Sequence, residues 1–227
     1  MRVATFNIAG GYAPDCAAIN RLVTAQAATV VGVQEVDQFT PRAPYDMAAL
    51  IAGQTHAVRF DAAMPLGAGA YGLATLSAAP IVAHTATHYQ AHGLEPRLYQ
   101  RTVVDVASRQ VAVYNTHLAF ETAVLRTAQV TQLLAALAAD PIRTQVVTGD
   151  FNMDQDVAEW QPFDRTLRRV NGPTQWVETF VGHDANMRTY AIDNILYTPD
   201  LTCSKTQLVA TLLSDHRMLW ADLAFKA

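Results

Sequence analysis

The order in which strand-like and helix-like segments alternate with polar residues constrains this chain most. In the first half, a strand-like run from Val3 to Ile8 closes on Asn7. A helical pattern over 16–28 follows, with Ile19, Leu22, Val23 and Ala27 on one face and Asp15 placed to cap it. Then comes an apolar strand, Thr29 to Val36, which delivers Glu35 at its end. The second half repeats the order. A strand-like arm from Gln110 runs to His117, a helical pattern covers 121–139 until Pro141 stops it, and an apolar strand from Val146 ends in Asp150 and Asn152. The distance from polar end to polar end is about thirty residues in each half. That spacing predicts two similar α/β units packed face to face, with their polar strand ends converging.

The remaining segments fill in around these units. Strands are expected near 56–61, 71–77 and 81–88, and a hairpin over 100–106 and 110–115 turns near Ser108. Pro41 and Pro44 mark a loop before a short helix from Tyr45 to Ala52, and Met64 to Ala70 reads as a second loop. A helical turn or two near 156–169, apolar segments at 176–180, 191–197 and 207–213, and a last strand from Leu219 to Phe225 complete one domain.

Composition narrows the function. Hydrophobic residues make up 51% of the 227 and charged residues 16%, which suits a large packed core and not disorder. A net charge of −4 argues against tight non-specific duplex binding, which leans on many Lys and Arg contacts to phosphate. Two cysteines, Cys16 and Cys203, imply no disulfide framework. No apolar run is long enough to cross a membrane, and no signal-peptide pattern opens the chain, so a cytoplasmic protein is expected.

The chemistry sits at the strand ends. Within Val146-Val147-Thr148-Gly149-Asp150-Phe151-Asn152, strand periodicity would aim Asp150 and Asn152 at one spot; an ordinary Asx turn is the plainer alternative. Asn7, Glu35, His117, Asp193 and Asp215-His216 occupy comparable positions. Each alone reads as a turn cap, a solvated strand end or a hydrogen-bonded core histidine. Together they form an oxygen-rich set without cysteine, suited to Mg²⁺ or Mn²⁺, beside two histidines suited to proton transfer or to stabilising an oxyanion. That is the equipment for attack of water on a phosphate ester. Zinc spacings, a phosphate-binding Gly-x-x-x-x-Gly-Lys-Ser/Thr loop and a Gly-x-Ser-x-Gly elbow are all absent from the sequence.

Phe6-Asn7, Gln34-Glu35-Val36, Asn115-Thr116-His117-Leu118, Gly149-Asp150-Phe151-Asn152, Ile192-Asp193 and Ser214-Asp215-His216 together resemble, in order, the motifs of the endonuclease/exonuclease/phosphatase superfamily, the DNase I-like enzymes. The resemblance spans Val3 to Leu223. It implies a four-layered α/β sandwich, two packed and mostly antiparallel β-sheets with helices outside. It also implies a divalent-metal phosphohydrolase acting on a phosphodiester or phosphomonoester of a small molecule, lipid headgroup or nucleic acid. By motif position, Glu35 resembles the principal metal ligand, with Asn7 and Asp215 beside the metal. Asp150 matches the residue that orients or deprotonates water, Asn152 a phosphate contact, and His216 the histidine at the scissile phosphate with Asp193 behind it. His117 matches a second phosphate contact or general acid. Tyr71 and Arg101 are expected to bind substrate: Tyr71 stands where the family often has Tyr-Gly-Asn, with Leu73 replacing the Asn, and Arg101 belongs to Gln100-Arg101-Thr102-Val103-Val104, which resembles a family strand with Glu-x-Arg, with Arg97 competing for its role. Arg126-x-x-Gln129 also fits the family and reads as structural.

The departures point away from some branches. The chain lacks the Trp-Asn opening and the Gln-Glu-Thr-Lys segment of AP endonucleases, and it lacks the basic run of polyphosphate phosphatases, since Lys205 is the one lysine before Leu223. It has no Trp- and Phe-rich hairpin suited to membrane insertion. An inactive scaffold on the same fold is the alternative, but such chains usually lose ligands, and the set here is complete. Loops at Asp37–Asp46, Asp61–Ala70 and Val181–Thr189, carrying Arg42, Tyr45, His183 and Arg188, are expected to shape specificity.

Overall fold

In the computed structural model the described residues are all but Pro173, His183, Ala185, Asn186 and Ala227, so His183 lies outside them. Two sheets pack face to face. The first holds seven strands: β1 (Arg2–Asn7), β2 (Val30–Thr40), β3 (Ala43–Asp46), β4 (Ala57–Leu66), β5 (Gly69–Ser77), β12 (Leu201–Val209) and β13 (Met218–Phe225). The second holds six: β6 (Ile81–His88), β7 (Leu98–Val106), β8 (Arg109–His117), β9 (Gln145–Asp150), β10 (Arg168–Arg169) and β11 (Asp193–Tyr197). Helices α1 (Cys16–Ala25) and α2 (Met47–Ala52) cover the first sheet, and α3 (Ala123–Ala139) and α4 (Gln161–Asp164) cover the second. This is the expected four-layered sandwich. No helix among the described residues is long and apolar enough to cross a membrane.

Each sheet is antiparallel except for one parallel pair, β1 with β2 and β8 with β9. Those pairs are the two repeated units, each closed by its helix. A parallel pair needs a crossover of a dozen or more residues, and an amphipathic helix is the usual solution. Asp15 caps α1 by accepting the Ala18 N–H at 2.9 Å, as expected, and Thr122 caps α3.

Strand periodicity then builds the interior. Ala4 and Phe6 of β1 and Val31 and Val33 of β2 face their helices, while Val3 and Val30 face the other sheet. Along β1 the inward row reads Val3, Thr5, Asn7; along β8 it reads Val113, Asn115, His117; along β9 it reads Val146, Thr148, Asp150. The registers align these rows: Asn7 lies beside Gln34, His117 beside Asp150, and Asp150 beside Asp193. The space between the sheets is therefore graded. One end is a dry layer of valines, isoleucine and leucines. The middle is a buried layer of amides and hydroxyls, with Gln34 Nε2 donating to Asn115 Oδ1 at 2.7 Å and Thr75 Oγ1 to Gln100 Oε1 at 2.7 Å. The far end holds the ionisable groups. Each fully buried apolar side chain in the dry layer contributes about 1.5–3 kcal/mol, which holds the sheets together while polar groups occupy the other end.

Several boundaries differ from expectation. β2 does not stop at Val36 but continues to Thr40, past a bulge between Val33 and Val36. The loop expected at Pro41 and Pro44 contains β3, paired with β2. The loop expected over Met64–Ala70 shrinks to Gly67 and Ala68, because β4 and β5 form a tight hairpin in which Gly67 takes a φ of +64°. Trp176–Phe180 forms no strand, only a bridge from Phe180 to His216.

Candidate active site

Asp150 ends β9 at the polar rim, 2% exposed, and its Oδ2 is the point on which the other groups converge. Asn7 Nδ2 donates to this oxygen at 3.0 Å and to Glu35 Oε1 at 3.0 Å, so one amide bridges two carboxylates. His117 Nε2 lies 3.5 Å from the same oxygen and His216 Nε2 3.7 Å. Behind His216, Asp193 Oδ2 meets Nδ1 at 2.8 Å. Asp215 Oδ1 stands 4.0 Å from His216 Nε2. Groups separated by most of the chain length thus share one neighbourhood.

The backbone explains how each arrives. Asn7, His117, Asp150 and Asp193 sit on inward rows. Glu35 does not: Gln34 holds the inward position, so simple alternation would send Glu35 to the helix side. The bulge and a φ of +59° at Glu35 bring its carboxylate back to the rim. Asn152 also departs from expectation. The strand ends at Asp150, and Asn152 has a φ of +51° with its N–H donated to Asp150 Oδ1 at 2.9 Å. An Asx turn, not strand alternation, places the amide at the rim, where its Nδ2 donates to the Leu118 carbonyl at 2.9 Å. Ser214 anchors the last motif by donating Oγ–H to the Asn7 carbonyl at 2.8 Å and accepting the His216 N–H at 3.0 Å.

The two histidines differ in charge. Arg97 Nη1 lies 2.7 Å from His117 Nδ1, and a guanidinium only donates, so Nδ1 is an acceptor and the ring proton sits on Nε2. Burial, with Arg97 and His216 adding to it, holds the His117 pKa well below the ordinary histidine value. Burial also opposes charge on His216, but Asp193, Asp150 and Asp215 outweigh it and push its pKa up to about 10. Burial raises the Glu35 carboxyl, partly offset by the Asn7 hydrogen bond. Burial and then Asp193 raise that of Asp150.

The donor set fits a hard cation. Asp150, Asp193 and His216 offer atoms within 4.8 Å of one another, but the His216 nitrogen facing Asp193 is already hydrogen-bonded, so the carboxylate oxygens carry the fit, among them Asp193 Oδ1, buried without a hydrogen-bond partner. Glu35 and Asp215 open onto the same cavity of about 350 Å³. Asn7 is placed differently from its expected role. Its Oδ1, the atom a hard cation would take, accepts the Ala9 N–H at 3.0 Å, while its nitrogen faces the carboxylates.

A model of the endonuclease/exonuclease/phosphatase family matches residues 4–216. The chain belongs to that family. No curated protein matches it. Among solved structures, an endonuclease/exonuclease/phosphatase from Beutenbergia cavernae is 23% identical, with 99% of this chain and 71% of that one covered and a TM-score of 0.80. A mannosyl-6-phosphatase from Bacteroides thetaiotaomicron is 17% identical, covering 99% and 100%, with a TM-score of 0.75. The TDP2 of D. rerio, solved with a single-strand DNA product, is 13% identical, covering 99% and 98%, with a TM-score of 0.78. At these identities the likeness is one of fold.

For a member of this family, the arginine expected at the rim is misplaced by four residues. Arg101 does not line the cavity. Strand alternation in β7 turns it to the helix side, where it forms a bidentate pair with Asp140 at 2.6 Å, joined by the Tyr114 hydroxyl at 2.7 Å. Arg97 lines the cavity instead, paired with Glu95 at 3.1 Å. The signal was present: Glu95-Pro96-Arg97 spells the family's Glu-x-Arg literally. Tyr71 is at the cavity, inside β5, with its ring under the Arg42 guanidinium at 5.4 Å. Leu73 packs in a small apolar cluster with Ala63 and Leu98. Of the specificity loops, Arg42 reaches the cavity while held by Asp37, Tyr45 packs into the first core, and Arg188 pairs with Asp156 at the surface. Arg126 and Gln129 are structural as expected: Gln129 Oε1 accepts the Ala119 N–H at 2.8 Å and Arg126 binds Glu159. Phe180, packed on His216 at 4.9 Å between ring centres, carried no sequence signal.

Proposed function

We propose that this chain is a divalent-metal phosphohydrolase that cleaves a phosphodiester or phosphomonoester by attack of an activated water. The observation that carries the reading is the convergence on Asp150 Oδ2 of Asn7, His117 and His216, with Asp193 fixing the His216 ring. Family membership and folds shared with a phosphatase and a DNA-bound enzyme support it.

Glu35 and Asp215 would hold the Mg²⁺ or Mn²⁺, because the Asp193 and His216 atoms that face each other are already committed to their mutual hydrogen bond. When bound, the ion would supply positive charge for the phosphate oxygens and the departing alkoxide. Asp150 orients a water and accepts its proton. Burial suits it to that task, because a carboxylate with raised proton affinity is a better base near neutral pH. His216, a cation backed by Asp193, donates Nε2–H to the phosphate as negative charge builds in the transition state. His117 donates its Nε2–H to a second phosphate oxygen, its tautomer set by Arg97. Asn152 offers its remaining amide N–H at the rim, and Tyr71 borders the substrate.

The test is hydrolysis of chromogenic aryl phosphate esters with Mg²⁺ or Mn²⁺. Activity is expected to vanish with EDTA, return with added metal, and collapse in Glu35→Ala and His216→Ala. Full activity in EDTA, or in both folded variants, would overturn the proposal.

A further inference from the structure

Two further hollows border the catalytic cavity, and the three together outline a trough. One, of about 520 Å³, shares Asp215 with the cavity and is bordered by Tyr12 and Leu212. The other, of about 720 Å³, shares Phe120, Asn152 and Met187 with it. The shared residues differ, so the scissile phosphate is flanked by a hollow on each of two sides. Both arms carry exposed apolar surface: Tyr12 is 81% exposed, Leu212 fully exposed and Phe120 56% exposed.

The charge along this trough is low for a phosphate-binding surface. Four arginines line it among the described residues, and every one already faces a carboxylate: Arg42 with Asp37, Arg97 with Glu95, Arg126 with Glu159, and Arg188 with Asp156. No lysine lines it. A polyanion gains its affinity by placing cations on successive phosphates, and these guanidiniums are neutralised in advance. A phosphomonoester, with a charge of about −1.5 to −2 near neutral pH, would also meet Glu35, Asp150, Asp193 and Asp215, whose four carboxylates already outweigh the His216 imidazolium and one divalent cation together.

From this geometry we infer that the substrate is a phosphodiester carrying one negative charge, with an uncharged substituent on each side of the scissile phosphate. The inference rests on the phosphohydrolase reading and deepens it. One substituent lies along Tyr12 and Leu212, the other along Phe120. The chemistry is shared by a glycerophosphodiester headgroup and by a dinucleoside monophosphate.

The test assays the purified 227-residue chain with Mn²⁺ on bis(p-nitrophenyl) phosphate, methyl p-nitrophenyl phosphate, p-nitrophenyl phosphate and a single-stranded oligonucleotide. The expected kcat/KM for the two-armed diester exceeds that for the monoester by at least about tenfold. Its rate changes less than about twofold between 50 and 200 mM salt, where a ligand with six to ten phosphate contacts would lose about 10³–10⁵ in affinity. Tyr12→Ala and Phe120→Ala lower kcat/KM on the two-armed diester more than on the methyl diester, a ratio that a general loss of folded protein does not move. Glu159→Gln combined with Asp156→Asn frees two guanidiniums and raises oligonucleotide cleavage at low salt. Glycerophosphoglycerol and a dinucleoside monophosphate then separate the two sources, and cleavage of either supports the shared chemistry. Failure on every ester removes the phosphohydrolase reading itself. Preference for the monoester, or oligonucleotide cleavage by the unaltered chain with a steep salt slope, overturns this inference and leaves that reading standing.

Discussion

Replacing Asp193 with Asn isolates the role of one buried charge. The Asp193 side chain is fully buried, and its Oδ2 lies 2.8 Å from His216 Nδ1. It heads the groups that raise the His216 pKa to about 10 against the opposing effect of burial. Asn is nearly isosteric, so packing is retained while the charge is lost. A hydrogen bond to a charged group contributes about 1.5–3 kcal/mol, so kcat/KM should fall about 10- to 150-fold if the imidazolium is needed only in the transition state. The pH profile should change with it. In the native chain the His216 pKa is raised, so its cation persists from acid up through about pH 10 and is lost above that. Without Asp193, burial is opposed only by Asp150 and Asp215, and the cation is lost at lower pH. The deficit of the variant should therefore widen as pH rises through the neutral range and narrow toward acid. The assay is kcat/KM on an aryl phosphate ester from pH 5.5 to about 10, with the melting temperature of each protein measured alongside. Undiminished activity in a folded Asp193→Asn protein, or a constant deficit at every pH, would refute the assignment of His216 as a charge donor.

Other substitutions probe separate parts of the structure. Arg97→Met removes the donor that fixes the His117 tautomer, so kcat/KM should drop about 10- to 100-fold, and NMR of the imidazole should show the His117 pKa rising. Arg101→Met should leave kcat unchanged but cost about 2 kcal/mol, because the Asp140 carboxylate loses its bidentate partner; that is about 4–8 °C in melting temperature for a chain of this size. The Asp140 pKa is depressed, burial being outweighed by Arg101 and Tyr114, so the difference between the proteins should shrink as pH falls through the acid range. Gly32→Ala places a methyl against Thr148 Oγ1 and 2.7 Å from Asn115 Oδ1 between the sheets. Denaturant unfolding should show a loss of about 1–3 kcal/mol.

The sequence by itself determined the two βαβ units, the sandwich they imply, and the set of polar residues at their ends. Those features are local: apolar periodicity, a capping Asp15 and a stop at Pro141 act within a few residues of themselves. The inward rows Val3-Thr5-Asn7 and Val146-Thr148-Asp150 were also legible, because strand alternation has a period of two. Only the tertiary structure decided what depends on backbone irregularity or on packing between distant segments. The bulge that swings Glu35 to the rim and the left-handed Asn152 both break the alternation from which sequence reasoning starts. The choice of Arg97 over Arg101 follows from where β7 begins: Arg97 lies just before the strand, at the cavity, whereas Arg101 lies within it on the helix side, fixed by pairing with β8 and by Asp140 at the end of α3. The charges of the two histidines are tertiary as well. Both rings are almost fully buried, but one faces a guanidinium and the other a carboxylate, and those neighbours come from elsewhere in the chain.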